Sequence, residues 1–413
     1  MGQMNGAFTG LRVVDTTHVL AGPFASYQLA LLGAEVIKVE SPGDPDQARF
    51  QGSDRDLVRA GMGTAFLAQG AGKSALALDL KTEAGRDALR SLIATADVFV
   101  ENYRPGAFDS LGLGYEELSQ LNPNLIYCSI SAFGAMGPRR EQTGYDNVIQ
   151  AFSGIMDLTG HGDNRPLKCG APAVDYATGL TAAFAITAAL FQRTSTGRGQ
   201  FIDVSMLDVA LTLLTSHATD FLWSHKHPTA KGNKFSFATL GMYHTSDTEI
   251  MIAASNLTQQ RRLWIALGRE DLVKKNNIER LEDFEREYDA LSTIIKSMPA
   301  AYWETFLNER RIPAARIRRM EEALCDPQVA ARGQFQRLAD PQGPVDGLRV
   351  TTSAFRMSDS PSGVTQPPQP VGAQTTAILR ELGLKEAEIE ALCAAGIASQ
   401  AAVAERHMKE HEQ

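Results

Sequence analysis

The chain is poor in cysteine: Cys128, Cys169, Cys325 and Cys393 are the only four in 413 residues, and they lie far apart. That spacing excludes a disulfide framework and the paired thiols of a structural zinc site. They read as small buried apolar residues in a reducing cytoplasm. No apolar run reaches the ~18 residues that a membrane span needs. The opening MGQMNGAFTG has neither a basic region nor an apolar core, so no secretion signal is expected. Basic charge is short as well. Forty Lys and Arg against 48 Asp and Glu leave a net charge of -8, which argues against nonspecific nucleic-acid binding. His407 and His411 stand one helical turn apart, but in a polar tail without a further ligand, and read as solvated.

Nucleotide-binding signatures are missing too. No G-x-G-x-x-G follows the first apolar strand, so ordinary dinucleotide binding is not supported. The stretch "FLAQGAGKSALALDLK", Phe66 to Lys81, ends its loop with Gly72-Lys73-Ser74 in the manner of a P-loop. The opening glycine of that pattern would be residue 67, which is Leu67. The following "ALALDL" reads as a short strand rather than the helix whose N-terminus would hold phosphates. Lys73 can still meet a phosphate that arrives attached to something else.

What is present is an alternation of strand and helix. "LRVVD" (Leu11 to Asp15) is an apolar run closing on an acid, "AGPFASYQLALLGA" carries an apolar helical stripe, and "EVIKVE" (Glu35 to Glu40) is a second strand. "KTEAGRDALRSLIATA", "DVFVEN", "YEELSQLNP" and "LIYCSISAFG" continue the pattern. Such alternation predicts an α/β fold with a Rossmann-like open parallel sheet. A long Ala- and Thr-rich helix begins near Asp175, a strand "FIDVSM" follows, and "LDVALTLLTSHATDFLW" reads as one further helix. From about His225 the texture changes to a hairpin around Ser246-Asp247 and a mostly helical region. A proline-rich linker and a helix pair, "QTTAILRELG" and "KEAEIEALCAAG", close the chain.

Seven segments in register, from "LRVVDTTHVLAGPFASYQLALLGAEVIKVESPGD" through "ADVFVENYRPGAFDSLGLGYEEL", "GYDNVIQAFSGIMDLTG" and "DYATGLTAAFAITAALFQRTSTGRGQFIDVSMLD" to "DPQVAARGQF", resemble the class III CoA-transferases. That family also contains the α-methylacyl-CoA racemases. The resemblance implies a large CoA-binding domain over residues 1–222 plus 336–413, with a small domain over 223–335 inserted between. It also implies a homodimer of interlocked subunits. It implies acyl-CoA and a small carboxylic acid as the substrates, with no permanently bound cofactor and no metal.

Moving CoA between acids without ATP requires the thioester's energy to be held on the enzyme. A side-chain carboxylate can hold it, first as a mixed anhydride and then as a thioester. The family's nucleophilic aspartate matches Asp175 in "CGAPAVDYATG". A helix start would favour its anionic form through the helix dipole; locally, the same residue also reads as an ordinary helix cap. Tyr145, in "TGYDNV", stands where the racemases carry His. A tyrosine is a poor base at neutral pH, which favours transfer over racemisation of an α-substituted acyl-CoA. The family pattern makes Asn102, Tyr103, Arg104, Lys73 and Arg49 candidate CoA contacts, with Lys38 a further one. Gly70 and Ala75 depart from it, where the family usually has Asn and a base. His18, Val19, Leu20 and Ala21 follow the first strand, and their backbone N–H groups are candidates for stabilising an oxyanion. Formyl-CoA:oxalate transferases carry Gln at the position of Leu20, and their glycine run has no counterpart near "KFSFATLGMYHTSD". An acid larger than oxalate, a dicarboxylate of the succinate or mesaconate kind, is therefore expected. A non-catalytic acyl-CoA-binding protein is the remaining alternative.

Overall fold

The computed structural model describes residues 6–341 and 343–401. The histidine pair at 407 and 411 lies outside them. Six parallel strands form the central sheet: β1 (Arg12–Asp15), β2 (Glu35–Glu40), β3 (Lys73–Leu78), β4 (Val98–Glu101), β5 (Ile126–Ser131) and β6 (Gln200–Ser205). Their order is β3-β2-β1-β4-β5-β6, and the short strand Ala398–Ser399 adds antiparallel to β3. The chain winds outward from β1 in one direction and then from β4 in the other. The crevice at the carboxyl ends of β1 and β4 is therefore a topological switch point, where open α/β sheets bind ligands.

The strands β1 to β5 are buried at nearly every position because both faces of the sheet are covered. Successive side chains go to opposite sides. Val13, Val36, Val98, Val100, Ile126 and Cys128 pack with the helices Ala21–Leu31 and Ala173–Thr196. Val14, Ile37, Leu76, Phe99 and Tyr127 pack on the other side with Glu83–Ile93 and the C-terminal helices Thr375–Glu381 and Glu386–Ala394. The helix Ala173–Thr196 has 24 residues and is apolar enough to cross a membrane. Ala182, Ala183, Ile186, Ala189 and Leu190, on its inner face, belong to this core.

The chain divides into two compact units. One comprises residues 1–155, 169–223 and 332–413; the other comprises 156–168 and 224–331. The second unit takes its core from Trp264, Leu291, Ile295, Trp303 and Leu307 around an antiparallel sheet of Leu240–His244, Glu249–Ala253 and Ala314–Arg316. The segment expected as a single helix after β6 is two, Met206–Leu213 and Thr215–Ser224, broken at Leu214. Gly72 follows the helix Thr64–Gly70, and Lys73 and Ser74 open β3, so a strand stands where a P-loop has its helix.

Candidate active site

Asp175 is the third residue of the helix Ala173–Thr196, and 8% of its surface is exposed. Pro172 precedes that helix and offers no side-chain cap. The missing cap is supplied from elsewhere. Asp146 Oδ2 accepts the backbone N–H of Val174 at 2.8 Å and of Asp175 at 3.1 Å, satisfying donors that a helix start leaves orphaned. Gln150 is fully buried; it donates to Asp146 Oδ1 and accepts from the Cys169 N–H at 2.8 Å. The site was expected to favour the Asp175 anion, and the structure reverses this. Burial, with the charge of Asp146 beside it, pushes Asp175 up to about 7. Desolvation outweighs the helix dipole because the carboxylate sits inside the protein rather than at a wet helix end.

Asp175 forms part of a cavity of about 330 Å³. The wall comes from the turn His18–Ala21 after β1, from Asn102–Pro105 after β4, from Ile130–Ala132 at the end of β5, and from Gln142–Tyr145 and Met206. Asn102 clamps the turn: its Oδ1 accepts from His18 N at 2.9 Å and its Nδ2 donates to His18 O at 2.8 Å. Tyr103 meets the His18 ring edge-on at 5.0 Å, and burial holds that imidazole below its ordinary range, hence neutral at pH 7. Two further cavities of about 210 Å³ adjoin. Tyr103 lines all three, and the last is bounded by Leu78–Lys81 and Phe108. The three together follow the carboxyl ends of β3, β2, β1, β4 and β5, the shape needed for a long ligand with its reactive end at Asp175.

Residues 8–375 match the sequence model of the family described as CoA-transferase family III. The chain belongs to CoA-transferase family III. It is 34% identical over 400 residues to the succinyl-CoA:glutarate CoA-transferase of Mus musculus, covering 95% of this chain and 90% of that one. It is equally identical, 34% over 357 residues, to the acetyl-CoA:oxalate CoA-transferase of Acetobacter aceti, covering 84% of this chain and 90% of that protein. A crystal structure of a CaiB/BaiF family protein from Brucella suis superposes with a TM-score of 0.79 at 36% identity, covering 92% of this chain and all 100% of that one.

In this family III enzyme the expected site residues separate into two groups. Asp175, Tyr145, Asn102, Tyr103, Arg104, Val19 and Leu20 share the cavity. Lys73, Lys38 and Arg49 line none of the three cavities described. Lys73 Nζ bonds Asp15 at 3.0 Å, Pro23 O at 2.8 Å and Ser26 Oγ at 2.8 Å. Lys38 Nζ bonds Thr17 O at 2.6 Å and Asp46 at 3.1 Å. Arg49 forks onto both oxygens of Glu40, at 2.7 and 2.6 Å, and lies 3.7 Å over the Phe66 ring. Their reading as phosphate grips is corrected accordingly: each cation is buried and spent on an internal partner. A lysine inside a strand covered on both faces needs a buried acid, and that was the available signal. The reading also missed Asp146, the remote cap, and Lys81, the exposed cation that follows β3 at the edge of the third cavity.

Proposed function

We propose that the enzyme moves CoA from an acyl-CoA to a dicarboxylic acid through covalent intermediates on Asp175. An Asp175 oxygen attacks the thioester carbonyl, the C–S bond breaks, and CoA leaves as thiolate from a mixed anhydride. The thiolate then attacks the Asp175 carbonyl carbon and expels the donor acid with the bridging oxygen. The acceptor carboxylate reverses both steps, so no water is consumed and no oxidant is needed. The observation that carries this reading is the buried Asp175 carboxylate lining the cavity, where desolvation pushes it up to about 7. Burial makes its charge costly, and acylation removes that charge.

The acid is one of four or five carbons. Leu20, Ile130, Ala132 and Met206 give the cavity an apolar side suited to methylenes. Arg104 and Lys81 are the exposed cations on the walls, available to the anionic ends of CoA and acid. Both relatives above are named for dicarboxylic acids; glutarate has five carbons, whereas two-carbon oxalate supports the dicarboxylate class alone.

The test uses ¹⁸O-labelled acceptor acids from oxalate to glutarate with succinyl-CoA. Each turnover should leave one acceptor oxygen on Asp175, and later turnovers should release it in succinate, about half the time in each because either carboxylate oxygen can attack. Peptide mass spectrometry after quenching should find CoA or acyl adducts on Asp175. Succinate free of label, with no adduct, would overturn the covalent route. Proton exchange at the α-carbon of an acyl-CoA in deuterated water, without transfer, would favour a racemase instead.

A further inference from the structure

Val19 has φ +69°, in the left-handed region that a β-branched residue rarely enters. Such a conformation persists only where its surroundings over-determine it. Here they do. Val19 N donates to Asp46 Oδ1 at 2.9 Å and Val19 O accepts from Gln69 Nε2 at 2.7 Å. On the preceding side, Asn102 holds both backbone groups of His18. Asp46 is itself anchored: it is 6% exposed, its Oδ1 also accepts from Ala48 N at 3.0 Å, and its Oδ2 pairs with Lys38 at 3.1 Å. Lys38 in turn donates to Thr17 O at 2.6 Å. The His18 and Val19 N–H groups, both expected among the oxyanion donors, are therefore occupied. Leu20 and Ala21, at the start of the helix Ala21–Leu31, have backbone N–H groups left without a partner among the described residues.

We infer that the Lys38–Asp46 pair is a positioning device: it forces Val19 into its left-handed turn so that the Leu20 and Ala21 N–H groups meet the oxyanion formed at the reacting carbonyl. Lys38 lines none of the three cavities, and Asp46 lines only the second, not the one that holds Asp175; both act at the reacting carbonyl through the backbone they hold. This rests on the covalent route proposed above. Two donors fixed before reaction need no reorganisation when charge develops. A turn free to relax would still bind acyl-CoA but would present them in the wrong place.

The experiment is a double-mutant cycle on the full-length enzyme, with kcat and KM for succinyl-CoA read separately. Asp46→Ala should lower kcat by about 10²-fold, the usual cost of misplacing such donors, with KM changed less than about threefold. Asp46→Asn keeps an acceptor for Val19 N but sets its amide donor against the buried Lys38 ammonium, so it should recover part of that loss and not all of it. Glycine enters the left-handed region without steric cost, so on a Val19→Gly background the Asp46→Ala penalty should shrink to a few-fold. Additive penalties, with the Val19→Gly background giving no relief, would overturn the inference, as would a loss in KM alone. Circular dichroism and thermal unfolding accompany each variant, and Asp46→Asn remains decisive if Asp46→Ala does not fold. Adduct formation on Asp175 in the unmutated enzyme separates the two proposals: its absence removes the covalent route, whereas its presence with additive penalties removes only the positioning role.

Discussion

Asp175 sets two opposite demands on one side chain. Its carboxyl is pushed up to about 7 by burial and Asp146, so below neutral pH the folded protein holds it protonated and unreactive. The free enzyme's kcat/KM should therefore fall about tenfold per pH unit below pH 7 and level off above, as a pH–rate profile will show. The stability consequence has the other sign. A carboxyl whose folded pKa is raised favours folding below its unfolded value near 3.9 and loses that benefit as pH rises to about 7. Replacing Asp175 with Asn should abolish transfer and yet stabilise the protein. The gain should grow from roughly 1.5 kcal/mol at pH 5 to roughly 4 kcal/mol at pH 8, measurable by denaturant titration at the two pH values. Asp146→Asn should move the acid limb of the rate profile to lower pH by removing the neighbouring charge. It should also cost about 1–2 kcal/mol of stability, because its new amide donor would face the Gln150 donor. Of this residue-level picture, Asp175 was legible through its family resemblance. Lys73 and Arg49 were misassigned because a sequence shows a charge without its partner, and Asp15 lies 58 residues from Lys73.

At the level of elements, the helices Ala21–Leu31 and Ala173–Thr196 cross at Gly179, one turn beyond Asp175. A Cβ added there would lie 2.7 Å from the Ala21 carbonyl oxygen, 3.0 Å from the Phe24 ring and 3.2 Å from Ala25 N. Two of those three atoms are backbone and cannot swing away. Helix propensity alone says that Gly179→Ala gains about 1 kcal/mol; overpacking says that it loses about 1–3 kcal/mol. The contact geometry decides for loss, and thermal unfolding will give the sign. The same clash would part Asp175 from the Leu20 and Ala21 N–H groups, so kcat should drop by about ten- to a hundredfold. The strands were legible because a doubly covered sheet leaves adjacent β-branched residues, such as Val13-Val14 and Val36-Ile37, that no amphipathic helix pattern requires. The break at Leu214 was not, since "LTLLTS" carries no Gly or Pro to mark it. Nor was the transfer of residues 156–168 to the second unit, which depends on contacts distant in sequence.

At the scale of the whole molecule, the helix that carries Asp175 also carries an apolar outer face. Leu180, Phe184 and Phe191 are 52%, 75% and 79% exposed, at spacings that put them on one side of the helix. Leu213, Leu222 and Trp223, on the two helices after β6, are exposed as well, Trp223 to 88%. An exposed apolar stripe like that of Leu180, Phe184 and Phe191 marks an interaction surface rather than a wetted one. The inner face of the same helix is already packed in the core, so a second copy of the chain is the occupant we expect, in keeping with the homodimer that the family resemblance implies. A stable homodimer interface buries upwards of about 1,000 Å². Light scattering on the purified protein should therefore give twice the chain mass at micromolar concentration. Charges at the centre of the face, Phe184→Glu with Phe191→Glu, should shift that mass to the monomer or drive the protein from solution. A monomeric wild-type protein would refute the assignment of this face. If the double variant were a soluble monomer with unchanged kcat, the dimer would stand, and the active site would be complete within one chain.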